Sequence, residues 1–176
     1  MKKNNLKKLK KGLAMCLASA MITSFALPAQ TEAATWKKNN TGWWWQEDNG
    51  SWPANQWKYI HGTWYAFDGN GYMRTGWYWD GRFWYYLTGS GAMVEGWAYI
   101  GGSWYYMVPG NGAMVGAGWH LIDNSWYYMN GSGAMCSNRW IGNYYVGGSG
   151  AILTNTWVGS YWVGADGNWI PNYDPD

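Results

Sequence analysis

The sequence GAMVEGWAYIGGSWYYM, residues 91–107, contains the unit from which most of this chain is built. Its two tryptophans, Trp97 and Trp104, are seven residues apart. Between them stands the dipeptide Gly101-Gly102, which is typical of the two-residue turns with positive φ that close tight β-hairpins. The stretch therefore predicts a glycine-rich loop followed by a hairpin.

The residues on either side of this turn alternate as they do in β-strands. Trp97 and Tyr99 share one face of the first strand. In the second strand, Trp104 and Tyr106 share a face and Tyr105 lies on the opposite one. Since no segment after the first 33 residues has a sustained period of 3.6, we expect no helix there.

The unit recurs with a period near 20 residues, which is typical of a stacked repeat protein. The first tryptophan of each pair is Trp57, Trp77, Trp97 or Trp119, the second is Trp64, Trp84, Trp104 or Trp126, and a methionine recurs at Met73, Met93, Met114 and Met135. A single hairpin is barely stable in water, whereas an aromatic ring buries ~150–250 Å² when neighbours stack on it. The sequence thus predicts an all-β solenoid of stacked β-hairpin repeats of about 20 residues each, with ring burial replacing an aliphatic core.

The first residues differ from the rest. Six lysines within residues 1–11 precede an apolar run at 12–27 and the small residues Thr31 and Ala33, as in a helical secretory signal peptide cleaved after Ala33, with cleavage after Ala34 as the alternative. The apolar run is about four residues short of a membrane-spanning helix, so we expect no membrane span in the mature chain. We divide the remainder into an atypical N-terminal repeat (34–56), regular repeats (57–140) and shortened C-terminal repeats (141–176).

Loss of residues 1–33 changes the charge. The mature chain keeps 6 of 12 basic and 9 of 10 acidic residues, a net charge of −3, which argues against nucleic acid as a partner. Cys136 is then the single cysteine, so no internal disulfide is expected. We expect Cys136 to be half-exposed without a special role; an intermolecular disulfide is the alternative.

Nothing in the mature chain has the pattern of a catalytic centre. His61 stands in a predicted turn, and no motif connects it or His120 to a nucleophile. Glu47 and Asp48 lie in a turn-like stretch with no second carboxylate placed opposite them. We therefore expect a protein that is not an enzyme, with no catalytic residue, cofactor or metal.

The series TGWYWDGRFWYYLTGSGAMVEGWAYIGGSWYYM, residues 75–107, resembles the cell-wall-binding, choline-binding repeats of Gram-positive surface proteins, and the likeness extends over residues 41–169. It implies a β-hairpin solenoid on the bacterial surface, in which aromatic rings of consecutive hairpins enclose the choline of teichoic or lipoteichoic acids. Carried onto this sequence, it implies four ligand-binding sets, with the recurring methionines in support: Trp57, Trp64 and Tyr86; Trp77, Trp84 and Tyr106; Trp97, Trp104 and Tyr128; Trp119, Trp126 and Tyr145.

Two alternatives stay open at this point. Similar repeats occur in glucan-binding enzymes and in toxin receptor-binding regions, so the ligand could be a glucan or another oligosaccharide. The rings could also serve only as the scaffold of a structural or adhesive protein. The oligomeric state cannot be read from the sequence.

Overall fold

The computed structural model describes residues 33–174, which form strands and turns without a helix. The all-β class is thus confirmed, whereas the predicted signal peptide, 1–33, lies outside the described residues except for Ala33. No helix within 33–174 is long and apolar enough to cross a membrane. The strands are β1 (Thr35–Lys38), β2 (Trp43–Gln46), β3 (Trp57–Ile60), β4 (Thr63–Ala66), β5 (Gly76–Trp79), β6 (Trp84–Leu87), β7 (Gly96–Ile100), β8 (Ser103–Met107), β9 (Gly118–Ile122), β10 (Ser125–Met129), β11 (Arg139–Ile141), β12 (Tyr144–Val146), β13 (Thr156–Val158), β14 (Tyr161–Val163) and β15 (Trp169–Ile170).

Consecutive strands pair antiparallel, and in the described residues they form seven hairpins, numbered 1 to 7 from β1–β2 to β13–β14. Hairpins 1 to 6 are separate two-stranded sheets, while β15 adds a third strand to hairpin 7. In hairpin 4, Trp97 pairs with Tyr106 and Tyr99 pairs with Trp104. These four rings therefore share one face, as the alternation predicts.

The turns follow the predicted chemistry in three hairpins. Both central residues have positive φ in His61-Gly62, Gly101-Gly102 and Asp123-Asn124. Hairpin 3 differs, because β5 ends at Trp79 and β6 begins at Trp84, so that four residues form the loop. There the Asp80 carboxylate accepts hydrogen bonds of 2.8 Å from the backbone N–H groups of Arg82 and Phe83.

The segment that follows a hairpin is hydrogen-bonded to that hairpin and also to the hairpin before it. The N–H of Met93, which follows hairpin 3, donates to the Trp64 carbonyl of hairpin 2 at 2.9 Å. The N–H of Val94 donates to the Tyr86 carbonyl of hairpin 3 at 2.9 Å. Equivalent bonds from residue to carbonyl are Met73 to Trp43, Met114 to Trp84, Met135 to Trp104 and Ile152 to Trp126. This recurring bond fixes each hairpin against the next.

The glycine of each GAM motif is required by this stacking. Gly91 has a φ of +82°, and a β-carbon placed on it would lie 2.1 Å from Met73 Sδ. At Gly112 a β-carbon would lie 2.4 Å from Met93 Sδ. The methionine of the preceding unit therefore packs directly against each glycine, where a β-carbon would collide with it.

The core is a column that takes one side chain from most hairpins. The largest fully buried side chains are Phe67, Leu87, Met107, Met129, Val146 and Val163, each at most 1% exposed. By contrast, most rings are half-buried or exposed, and so are the recurring methionines at 73, 93, 114 and 135. The expectation that rings replace an aliphatic core is thus wrong in part, because the column lies on the face of the second strand opposite the paired tryptophans.

The C-terminal hairpins are shorter, with strands of three residues in hairpins 6 and 7. The expected boundary at residue 140 falls inside β11 (Arg139–Ile141). Cys136 is only 6% exposed, and its N–H donates to the Tyr128 carbonyl at 2.8 Å. The expectation of a half-exposed cysteine is therefore wrong.

Candidate functional site: aromatic cages between hairpins

Hairpins 3 and 4 each present two indole rings at nearly right angles on one face. The ring centroids of Trp77 and Trp84 are 6.3 Å apart with an interplanar angle of 88°. The rings of Trp97 and Trp104 are 6.5 Å apart at 82°. Because the tryptophans stand on neighbouring strands at diagonal positions, their rings form the corner of a box rather than a closed stack.

The next hairpin supplies a third ring. Tyr105 of hairpin 4 lies 4.8 Å from Trp77, and Tyr127 of hairpin 5 lies 4.7 Å from Trp97. The ring centroids of Trp57 and Tyr85 are 4.9 Å apart, and those of Trp119 and Tyr144 are 5.5 Å apart. We call each set of two tryptophans and the facing tyrosine a cage, and number it by the hairpin that carries its tryptophans.

The predicted tryptophan pairs thus come together. The third ring, however, belongs to the residue that precedes the predicted tyrosine in the sequence. Tyr86, Tyr106, Tyr128 and Tyr145 contact the first tryptophan of their own hairpin, Trp77, Trp97, Trp119 and Trp140, at 5.1–5.3 Å. They share a face with that tryptophan, whereas the face turned toward the preceding hairpin carries the residue one position earlier. The alternation in the sequence already contained this information, since Tyr105 was assigned to the face opposite Trp104.

Cages 2 and 5 border open space. Cage 2 borders a cavity of about 260 Å³, lined by Trp57, Trp64, Tyr85, Met93, Gly110 and Asn111. Cage 5 borders one of about 340 Å³, lined by Trp119, Trp126, Tyr144, Ile152 and Asp166. Both are several times the ~30 Å³ that one water molecule occupies. A small organic group can therefore enter without displacing a ring.

One cage was missed by the sequence analysis. Trp36, Trp43, Tyr65, Met73 and Ser90 line a cavity of about 330 Å³ in hairpin 1, and the Trp36 and Tyr65 rings are 4.8 Å apart. The signal was present, because Trp36 and Trp43 are seven residues apart, like the other pairs. The tryptophan run at 43–45 obscured which ring belonged to the pair.

The cavities differ in the charge at their rims. The residue before the positive-φ glycine of a later loop lines the rim: Ser90 in cage 1, Asn111 in cage 2 and Asp166 in cage 5. Asn111 Oδ1 accepts the Ala113 N–H at 2.9 Å, and Asp166 Oδ1 accepts the Asn168 N–H at 2.9 Å. Asp166 therefore brings a carboxylate to the lining of cage 5, whereas the lining of cage 2 has the amide of Asn111.

Cage 1 carries a charge of the opposite sign. The Lys38 ammonium nitrogen lies 5.3 Å from the centroid of the Trp43 ring, within the range of a cation–π contact. The chain thus already places its own cation on one cage wall.

The phenol of cage 2 interacts with a nearby carboxylate. Burial, and then hydrogen bonding to Asp80, raises the pKa of Tyr85 above its ordinary value. The backbone hydrogen bond from Phe83 is the main cause that lowers the pKa of Asp80. At neutral pH Tyr85 therefore remains an uncharged ring that can donate its hydroxyl proton.

The groups considered for catalysis have structural contacts. The His61 ring lies edge-on 5.4 Å from Trp45, and His120 Nε2 is 2.8 Å from the Gly116 carbonyl oxygen. Glu47 forms an ion pair of 2.7 Å with Lys58, and Asp48 accepts the backbone N–H of Ala34.

Comparison with protein families agrees with this architecture. Models of a choline-binding repeat match residues 75–119 and 134–169, and a model of a cell wall binding repeat matches 55–73 and 117–135. The chain belongs to the choline-binding repeat family. Together the matches cover every residue from 55 to 169 except residue 74.

Similar solved structures come from Streptococcus pneumoniae. Choline binding protein F is 36% identical over 78% of this chain and 48% of its own, with a TM-score of 0.70. CbpJ of strain TIGR4 is 36% identical over the same shares, with a TM-score of 0.71. The chain thus spans less than half the length of these two relatives. The lysozyme of Streptococcus phage Cp-1 is 50% identical over 30 residues, which are 17% of this chain and 9% of that protein.

Proposed function

We propose that this chain binds choline-bearing teichoic or lipoteichoic acids of a Gram-positive cell wall by enclosing the trimethylammonium group in its aromatic cages. The observation that carries the proposal is the recurring set of two indoles and one tyrosine of the next hairpin, in which the indoles are perpendicular in hairpins 3 and 4 and an open cavity lies beside the equivalent sets of hairpins 2 and 5. The choline-binding repeats of the chain support it. So does its likeness to choline binding protein F, of which one structure was determined in the presence of a peptidoglycan analogue.

The chemistry of the cage suits a quaternary ammonium. This cation has no N–H to donate, so the negative faces of aromatic rings are the groups that attract it most. Each ring contributes ~0.5–2 kcal/mol, and three rings give an affinity of about 1 mM. Several such sites on one stack gain avidity toward a polymer with many choline groups, because the first contact raises the effective concentration at the next.

We further propose that the chain acts by binding rather than by catalysis, and that it acts outside the cell. The contacts of Glu47 and His120 support a structural role for both, and neither of these contacts involves a nucleophile. Secretion rests on the signal-like composition of residues 1–33.

The first test is retention on diethylaminoethyl cellulose, whose tertiary amine resembles choline. We expect free choline to elute the protein, and sodium chloride of equal ionic strength to leave it bound. The neutral isostere 3,3-dimethylbutan-1-ol serves as control, because it has the shape of choline without the charge. Elution by salt alone, or equal elution by the isostere, would reject a cation-specific cage.

A pair of variants tests which tyrosine completes cage 2. Tyr85→Leu removes the ring facing Trp57, whereas Tyr86→Leu removes a ring that packs on Trp77 of another cage. We expect choline to shift the indole N–H resonances of Trp57 and Trp64 in the wild type. Tyr85→Leu weakens that response and Tyr86→Leu does not. The reverse order would restore the ring assignment made from the sequence.

The oligosaccharide alternative is tested in the same titration. If a soluble glucan shifts the cage tryptophans and choline does not, the cages are saccharide sites and the proposed ligand is wrong. If neither ligand shifts them, the rings are scaffold only.

A further inference from the structure

A separate pocket of about 200 Å³ lies at the N-terminal end of the stack, lined by Asn39, Trp44, Trp52, Asn70 and Tyr72. Trp44 follows the second tryptophan of hairpin 1, so it occupies the position that a facing tyrosine has in a cage. Asn70 precedes a positive-φ glycine, like the rim residues of the cages. The end pocket thus has the residues of the third-ring and rim positions of a cage. The hairpin that would supply the two tryptophans is not present within residues 33–174.

Trp52 changes the character of this pocket. A β-carbon on Gly71 would lie 2.2 Å from Trp52 Cδ1 and 2.9 Å from Nε1. The edge of the Trp52 indole therefore contacts Gly71 in the way that a methionine contacts the equivalent glycine of other units. The side chain is nevertheless 55% exposed. The end pocket therefore has a broad, open indole where the other units have a flexible thioether.

Polar groups surround this indole. Asn39 Nδ2 donates to the Tyr72 hydroxyl at 2.9 Å, and Asn39 Oδ1 accepts the backbone N–H groups of Thr41 and Gly42. The Tyr72 hydroxyl keeps its own proton to donate. The Asn70 side chain forms no hydrogen bond within residues 33–174, so both its donor and its acceptor are available.

We propose that the end pocket is a binding site for a neutral saccharide ring, distinct from the choline cages. A quaternary ammonium has no use for hydrogen-bonding side chains, and the lining of this pocket has three of them, Asn39, Asn70 and Tyr72. A pyranose needs one aromatic face for its C–H groups, with fixed donors and acceptors at its edge for its hydroxyls. Trp52 supplies the face, while Asn70 and Tyr72 supply the edge. None of the lining side chains is charged, so a neutral ligand meets no unpaired charge there.

The test is a titration of ¹⁵N-labelled protein with a trimer of N-acetylglucosamine and, separately, with maltotriose, observed at the indole N–H resonances of Trp44 and Trp52. We expect at least one of the two saccharides to shift both resonances to saturation, and choline to leave them in place. Two variants restore what the other units have: Trp52→Met gives the usual methionine, and Asn70→Ser gives the rim residue found at Ser90. Each should weaken the saccharide roughly threefold to tenfold.

The choline response of Trp119 and Trp126, in the remote cage 5, reports that each variant is folded. The inference is overturned if neither saccharide shifts Trp44 and Trp52, if both variants bind as the wild type does, or if choline shifts these resonances instead. Saccharide binding here together with an absent choline response in the cages would reject the proposed function and leave this inference standing.

Discussion

The charge at the rim predicts that the cages differ in affinity for choline. Asp166→Asn removes the carboxylate from cage 5 but retains the side-chain oxygen that accepts the Asn168 N–H at 2.9 Å. The substitution also introduces the side chain that cage 2 has, where Asn111 likewise accepts the N–H two residues later. The change therefore alters charge with little change of shape.

The expected magnitude follows from the position of the carboxylate. Asp166 is exposed, so its attraction for a cation in the cavity is that of charges in water, about 1 kcal/mol at ~4 Å. We expect Asp166→Asn to weaken choline at cage 5 about fivefold. The difference should shrink toward none at about 1 M salt, where the screening length is ~3 Å.

The reverse substitution makes the comparison symmetrical. Asn111→Asp keeps the bond from the Ala113 N–H and places a carboxylate at cage 2. We expect choline to bind cage 2 about fivefold more tightly in this variant, with cage 5 unchanged. The assay is a choline titration at low and high salt, observed at the indole N–H resonances of Trp126 for cage 5 and Trp64 for cage 2.

The neutral isostere separates charge from shape. 3,3-Dimethylbutan-1-ol should bind each variant as it binds the wild type, because it has no charge for the rim to attract. If Asp166→Asn weakens the isostere as much as choline, the residue acts through the shape of the cavity. If it weakens neither, the rim does not contribute to the site, although the cage itself still binds.

Three further outcomes follow from the fold. Gly91→Ala should lower the free energy of unfolding by about 1–3 kcal/mol, because the new β-carbon meets Met73 and the residue has a φ of +82°. Gly89→Ala, which has open space around it, should leave the stability unchanged, and thermal unfolding compares the two variants. Cys136 should react slowly with a thiol reagent in the native protein and rapidly in denaturant; rapid native labelling would contradict its burial. The lowered pKa of Asp80 means that it stabilises the fold above its unfolded pKa and that this contribution is lost as pH falls through the lower, folded value. Urea midpoints below about pH 4 should thus fall less in Asp80→Asn than in the wild type.

The fold was predictable because two short-range signals agree. A spacing of seven residues between tryptophans, with a positive-φ dipeptide between them, defines a hairpin at each repeat. Hairpin 3 shows the limit, because Gly81-Arg82 resembles a two-residue turn while Asp80 accepts backbone bonds that hold a wider loop. Side-chain capping of this kind is decided by local geometry that the dipeptide alone does not specify.

The cages were less predictable because their rings come from different hairpins. Within one hairpin the alternation fixes which residues share a face, so the tryptophan pairs were found. Which face meets the next hairpin depends on the hydrogen bond from Met93 to the Trp64 carbonyl, which links residues 29 positions apart. The choice between Tyr85 and Tyr86 depends on that stacking.

A cage is therefore a property of the stack, not of the repeat. Cage 2 takes its indoles from hairpin 2, Tyr85 from hairpin 3, Met93 from the next segment and Asn111 from the loop after hairpin 4. A ligand in the cavity contacts parts of three hairpins at once, so its binding free energy opposes their separation. Opening the stack from the C-terminal end removes the rim or third ring of a cage before its tryptophans, whereas opening it from the N-terminal end removes the tryptophans of cage 1 first. Occupancy by choline should thus protect most strongly the backbone bonds between hairpins, such as that from Met93 to Trp64, and protect the turns at the hairpin tips least.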